Sequence, residues 1–226
     1  SEEQYGLLED IVSRHEGAFG DETCLSKFSS LTPMKVHLKP DALPSLAPPR
    51  EMGTVKKEAL RKKIQSMLEN KMLKPDPHPT WSAPAFMVPK PNGAWEMVID
   101  LRRINMRVQE ETQILPTIDL QLSWLPGSAK VFGLFDLLPV EESSQQIFTI
   151  STIFGAYRLQ ASPMGFINTP TVFQQRITQE VLGTGVEGLF GHRQAGFLQW
   201  IDDSFGYAPD VNGYLKLLDT FLERIE

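Results

Sequence analysis

The sequence predicts an α+β fold, on three observations. Strand-like and helix-like segments follow one another without the strict strand–helix alternation of a parallel α/β sheet. Two short apolar runs, Ala85 to Val88 and Trp95 to Ile99, flank Pro91-Asn92-Gly93, a strong hairpin signal. Apolar residues at helical spacing recur on both sides of that hairpin. With 226 residues and 41% hydrophobic content, the chain is long enough for one large core or two modest lobes.

Taken in order, Leu7, Leu8, Ile11 and Val12 predict a short amphipathic helix over residues 3–15. Pro33, Pro40, Pro44, Pro48 and Pro49 then forbid regular helix and predict an extended arm laid over a neighbouring lobe. Thr54 is a candidate cap for a helix whose apolar face is Leu60, Ile64, Met67, Leu68 and Met72. Pro75, Pro77 and Pro79 end it, and the hairpin follows. Residues 131–135 are an apolar strand that runs into Asp136. Asn168 or Thr169 is placed to cap a helix with Pro170 in its first turn, a buried stripe of Phe173, Ile177 and Val181, and a stop at Gly183 and Gly185. Leu198 to Ile201 and Phe205 to Ala208 are strand halves separated by Asp202-Asp203, and Leu215, Leu218, Phe221, Leu222 and Ile225 mark a last helix.

Charge is unevenly spread. The net value is −6, yet Arg50 to Arg107 holds 12 Lys and Arg against 6 Asp and Glu, a local +6. The remainder holds 10 against 22, hence −12. Such a split places a phosphate-facing surface on one lobe, although Lys56, Lys57, Arg61, Lys62 and Lys63 fit equally the solvated face of a helix. No apolar run approaches the length of a membrane span, and no signal-like segment opens the chain. The single cysteine, Cys24, excludes an internal disulfide and suits a reducing, intracellular compartment, cytoplasmic or nuclear. A start at Ser1 suggests a piece or processed product.

The carboxylates carry the chemistry. An aspartate closing an apolar strand is costly to bury alone, and two adjacent aspartates repel unless cations sit between them. Asp136, Asp202 and Asp203, brought together from neighbouring strand ends, would make a hard-oxygen site suited to Mg²⁺. Two such ions could activate a primer hydroxyl and stabilise leaving pyrophosphate. Spacing alone leaves open the simpler reading, in which each aspartate starts a turn.

The flanking words narrow this. Trp81-Ser82-Ala83-Pro84, Val88 to Trp95 and Asp100-Leu101-Arg102-Arg103-Ile104-Asn105 resemble the fingers signature of gypsy-like LTR-retrotransposon reverse transcriptases. Leu115 to Asp119 and Phe132 to Asp136 are similar to that family's approach to its first catalytic aspartate. Tyr157-Arg158-Leu159, Ser162 to Phe166, Asn168-Thr169-Pro170 and Phe173-Gln174 look like its template-and-nucleotide turn and the following helix. Trp200-Ile201-Asp202-Asp203 occupies the place of its aromatic-x-Asp-Asp box, and Pro33 to Arg50 resembles its arm. The resemblance runs in order along nearly the whole chain.

It implies a polymerase right-hand fold: a helix and arm over residues 1–49, fingers over 50–130, and a palm with an antiparallel sheet over 131–226, ending before a thumb. It further implies RNA-directed DNA polymerisation with RNA/DNA template-primer and dNTP as partners and no membrane. Asp136, Asp202 and Asp203 would bind Mg²⁺ or Mn²⁺. Lys90 and Arg102 would stand near the incoming nucleotide, and Gly165 would let backbone approach the templating pair. A solvated hairpin charge at Lys90 and an ordinary turn at Gly165 are the plainer alternatives.

Three departures matter. Glu96 follows Trp95 where the family has a phosphate-gripping arginine. Asp136 runs almost at once into Leu138-Pro139-Val140-Glu141-Glu142-Ser143, so that roughly half a dozen residues of the nucleotide-pocket floor and sugar gate are missing by motif register. The family's thumb, connection and ribonuclease H domains are not expected within this sequence. Trp200 for the usual tyrosine is milder. Catalysis is therefore expected to be impaired, with a domesticated module that contacts nucleic acid or protein as the alternative.

Overall fold

A computed structural model describes residues 2–16, 31–91, 93–112, 119, 132–134, 138–183, 189, 195–200 and 203–225. Helix α1 (Glu2–Arg14) opens the chain, and α2 (Thr54–Glu69) follows the arm. Strands β1 (Leu73–Pro75), β2 (Ala83–Pro89) and β3 (Trp95–Ile99) lead to the short helix α3 (Arg102–Asn105) and to β4 (Phe132–Leu134). Then come α4 (Glu142–Gln145), β5 (Thr149–Thr152), β6 (Gly155–Leu159), α5 (Thr169–Arg176), β7 (Gly196–Trp200), β8 (Asp203–Tyr207) and α6 (Val211–Ile225).

The strands make two sheets. One runs β1-β6-β5-β2-β3 and the other β4-β8-β7. The second is antiparallel throughout, whereas the first is mixed because β2 pairs parallel with β5, Ala83 opposite Ile150. The predicted hairpin forms as β2–β3, closing with Pro89 opposite Trp95. β5 and β6 lie beyond residue 130 yet complete the first sheet with β1, β2 and β3, so that sheet draws strands from both sides of the expected fingers–palm boundary.

Packing explains the helices. In α2, Leu60, Ile64 and Met67 are buried on one stripe against the first sheet. Three such side chains contribute about 5–8 kcal/mol before the entropy of ordering is deducted. Thr54 is the first helical residue rather than the cap, which is Gly53, and no side chain caps this end. Asn168 does hold the cap position of α5, with Pro170 in the first turn, but its amide makes no capping bond and serves a longer-range contact. After Arg176 the helix widens into a π-helical stretch, Ile177–Leu182, ended by Gly183 at φ 67°. Arg224 of α6 donates to the carbonyls of Val181 (3.1 Å) and Leu182 (2.9 Å), which the helix end leaves without intrahelical partners.

The arm is extended, as its prolines require, and is stitched across the body. Met34 donates to Pro139 (2.7 Å) and accepts from Glu141 (2.9 Å), while Lys39 donates to Arg107 (2.9 Å) and Ala47 to Ser82 (3.2 Å). Its Leu31, Met34 and Val36 enter the same core as Leu60, Leu138, Phe148 and Phe173. Helix α1 packs on α6, where Asp219 accepts from Arg14 (2.9 Å) and bonds the ring of His15 (2.9 Å). No helix among the described residues is long and apolar enough to cross a membrane.

Candidate functional site

The β2–β3 hairpin has one buried face and one open face. Ala85 and Met87 point into the core, while Phe86 and Val88 are half-buried opposite Val98 and Glu96. At the base of the open face lies a cleft of about 340 Å³, lined in part by Arg50, Phe86, Asp100, Arg102, Asn105 and Gly165. Two of the three expected nucleotide-facing residues, Arg102 and Gly165, therefore line one open cleft.

Arg102 is held by Asp100 in a two-pronged contact, Nε to Oδ1 at 2.8 Å and Nη2 to Oδ2 at 2.7 Å. Arg50 joins the same carboxylate at 2.5 Å, its guanidinium 4.3 Å from the centre of the Phe86 ring. The Arg102 hydrogen bonds, aided by the nearby Arg50 charge, hold the Asp100 carboxyl well below the usual carboxylate range despite its partial burial. Two guanidiniums share one carboxylate, so the rim keeps a net positive charge at neutral pH, suited to an anionic ligand. Arg102 remains 82% exposed while paired in this way.

Gly165 lines the same cleft. Its φ of 84° lies in the left-handed region, and nothing lies within 4 Å of where a Cβ would sit. Its backbone conformation favours glycine, and the space beside it is open. The turn is tied to α3 by Asn105, whose amide nitrogen donates to the Gly165 carbonyl at 2.9 Å.

Lys90 is placed differently. It lies at the hairpin tip, outside the lining of this cleft, with its ammonium 3.7 Å from the Glu96 carboxylate. The residue that departs from the expected arginine thus meets the charge of the other expected grip. On α2, Lys56 sits 5.8 Å from the centre of the Trp95 ring, and Arg61 is bidentate to Glu58 (2.8 and 3.0 Å), so that part of this basic face is already paired.

The carboxylate region is described in part. Asp136 and Asp202 lie outside the described residues, as do Cys24 and most of residues 113–131. Asp203 begins β8, where its backbone is opposite Leu134 on one side and Trp200 on the other. Positions 136 and 202 each follow this rung by two residues in sequence. Beneath it, the buried Gln174 donates to the Gln199 carbonyl at 2.9 Å, and the Ser204 hydroxyl bonds the Gln199 side chain. The Phe173-Gln174 word thus has a structural use, pinning α5 to β7. Among the described residues no three His, Cys, Asp or Glu side chains are grouped to hold a metal ion.

Sequence reasoning passed over Arg50, Asn105 and the amide of Asn168. Arg50 and Asn105 stand within segments that resemble the family, but no spacing signal marks contacts spanning 50 and 60 residues.

No family model matches the chain. It is 29% identical over 192 residues to the retrovirus-related Pol polyprotein from transposon 412 of Drosophila melanogaster, covering 80% of this chain and 15% of that protein. The Gag-Pol polyprotein of koala retrovirus is 29% identical over 194 residues, covering 80% of this chain and 11% of its own. The polyprotein from transposon opus of Drosophila melanogaster is 31% identical over 129 residues, 52% of this chain and 13% of that protein. The chain thus spans 15% or less of each of these polyproteins. Among solved structures, prototype foamy virus protease–reverse transcriptase superposes with a TM-score of 0.75 at 18% identity, covering 99% of this chain and 29% of that one. The chain is similar in sequence to Pol polyproteins of retroelements and has a retroviral reverse-transcriptase-like fold.

Proposed function

We propose that the chain is the fingers-and-palm portion of a gypsy-like LTR-retrotransposon reverse transcriptase whose nucleotide site is impaired. One observation carries this reading: Leu134, Asp203 and Trp200 share a rung of the second sheet, and positions 136 and 202 each follow that rung by two residues. In this proposal Asp136, Asp202 and Asp203 hold Mg²⁺ or Mn²⁺, an all-carboxylate donor set that matches hard cations. When bound, the ions would supply activation of a primer hydroxyl and stabilisation of leaving pyrophosphate. Arg102 would meet the nucleotide's negative charge at the cleft rim, and the Gly165 backbone would lie against the templating pair. The arm would be residues 1–49, the fingers 50–130 together with the returning β5 and β6, and the palm the remainder of 131–226.

Impairment is supported by two features. The Lys90 charge is opposed by Glu96. Shortly after position 136 the chain is already committed to other contacts: Leu138 is buried and accepts from Ser162 (2.8 Å), and the Pro139 carbonyl accepts from Met34 (2.7 Å). That leaves little chain for a pocket floor and sugar gate. The neutralised Lys90–Glu96 pair also favours a second reading, a domesticated intracellular module that binds RNA–DNA duplex or a protein partner without polymerising.

Primer extension on an RNA template, with Mg²⁺ and then Mn²⁺, tests both. The expected result is extension far below that of an intact reverse transcriptase, with measurable binding of RNA–DNA duplex. Robust extension abolished by Asp202→Asn would overturn the impairment. A chain that neither extends nor binds duplex would overturn the polymerase reading.

A further inference from the structure

The segment leaving α3 and the turn carrying Gly165 are joined by two asparagines that act reciprocally. Asn105, on the first segment, donates from its amide nitrogen to the Gly165 carbonyl at 2.9 Å, and its amide oxygen accepts from the Ile167 N–H at 3.3 Å. Asn168, on the second, donates to the Gln109 carbonyl at 2.9 Å and accepts from the Glu111 N–H at 3.1 Å. Each side-chain amide thus bridges two backbone groups of the opposite segment, as a neighbouring strand would. The orientation of both amides follows from chemistry, because a carbonyl requires the NH₂ end and an N–H requires the oxygen.

The two clamps differ in burial. The Asn168 side chain is 1% exposed, whereas Asn105 is half-buried at the cleft. Asn105 is also the last residue of α3, which begins with Arg102. One side chain therefore couples the helix bearing the cationic rim to the left-handed turn bearing Gly165.

We propose that Asn105 is a positioning residue, which with Asn168 holds the Gly165 turn in register with Arg102 and keeps the cleft preformed for a nucleic-acid ligand. The ligand rests on the polymerase reading above, while the clamp itself rests on geometry alone. A site built this way orders its walls before the ligand arrives, which reduces the entropy lost on binding.

The test uses Asn105→Ala and Asn105→Asp in the full chain. Aspartate keeps an acceptor for Ile167 but offers the Gly165 carbonyl a repelling oxygen instead of a donor. Two readouts are needed: amide hydrogen exchange of residues 164–167, and equilibrium binding of a fluorescent RNA–DNA primer–template. We expect exchange in the turn to rise about five- to tenfold in Asn105→Ala, and duplex affinity to fall by a similar factor, with Asn105→Asp at least as severe. Thermal melts near the wild-type value would show that the loss is local. Unchanged exchange in both variants overturns the clamp. Faster exchange with unchanged affinity overturns its role in binding. A wild-type chain that binds no duplex overturns the polymerase reading and the ligand assigned here, while the exchange data still decide the clamp.

Discussion

Reversing the charge at position 96 tests whether the hairpin tip faces a triphosphate. In the native chain Lys90 Nζ and the Glu96 carboxylate are 3.7 Å apart, with their side chains 38% and 41% exposed. Exposed ion pairs of this kind contribute roughly 0.2–1 kcal/mol, so Glu96→Arg should remove less than about 1 kcal/mol of stability through the lost pair. Two like charges at about 4 Å add repulsion of about 1 kcal/mol in water-like surroundings. At roughly 2–4 °C per kcal/mol for a chain of this size, the melting temperature should fall by no more than about 8 °C. For a triphosphate the change runs the other way. A tip that was neutral overall becomes doubly positive, and one added charge-assisted contact is worth about 1.5–3 kcal/mol. The dissociation constant of a deoxynucleoside triphosphate should therefore drop about ten- to a hundredfold, less at high salt. Glu96→Gln, which frees Lys90 without adding charge, should fall between. Titration of a fluorescent dTTP analogue in Mg²⁺ measures all three proteins. Equal affinities in natively melting variants would show that the tip does not face the ligand, and the explanation of impairment through Glu96 would fail.

Two further outcomes follow from the site. If Asp136, Asp202 and Asp203 share cations, Mg²⁺ or Mn²⁺ should raise the melting temperature by mass action, and Asp202→Asn combined with Asp203→Asn should abolish the shift; an equal shift in both proteins would place the metal elsewhere. The Asp100 carboxyl is held below its unfolded range chiefly by Arg102. At acid pH the unfolded chain therefore binds the proton first, and stability rises with pH there. The contribution is fully present above about pH 4 and is lost as pH falls below it. Urea unfolding at pH 7 and pH 3 should show wild type losing more stability than Asp100→Asn; parallel losses would mean that the Arg50–Asp100–Arg102 cluster does not couple to folding.

Local pattern in the sequence was enough for α1, α2, α5, α6 and the β2–β3 hairpin, because each is specified within one stretch: helical spacing of Leu60, Ile64 and Met67, or a turn between two apolar runs. The approach of Lys90 to Glu96 is equally local, since both flank the same turn, yet nothing in the pattern paired them. Contacts between distant segments could not be read that way. Strand β1 contains a proline, and β5 and β6 are short runs without clear alternation; they became strands because β6 had partners on both sides in β1 and β5. Arg50 reaches Asp100 only because the arm is pinned along Ser82, next to β2. Asn168 shows the difference most plainly. As a sequence it reads as a cap, which an exposed asparagine at a helix start usually is. Buried, its amide needs both donor and acceptor partners, and the folded chain supplies them at Gln109 and Glu111 rather than in its own helix.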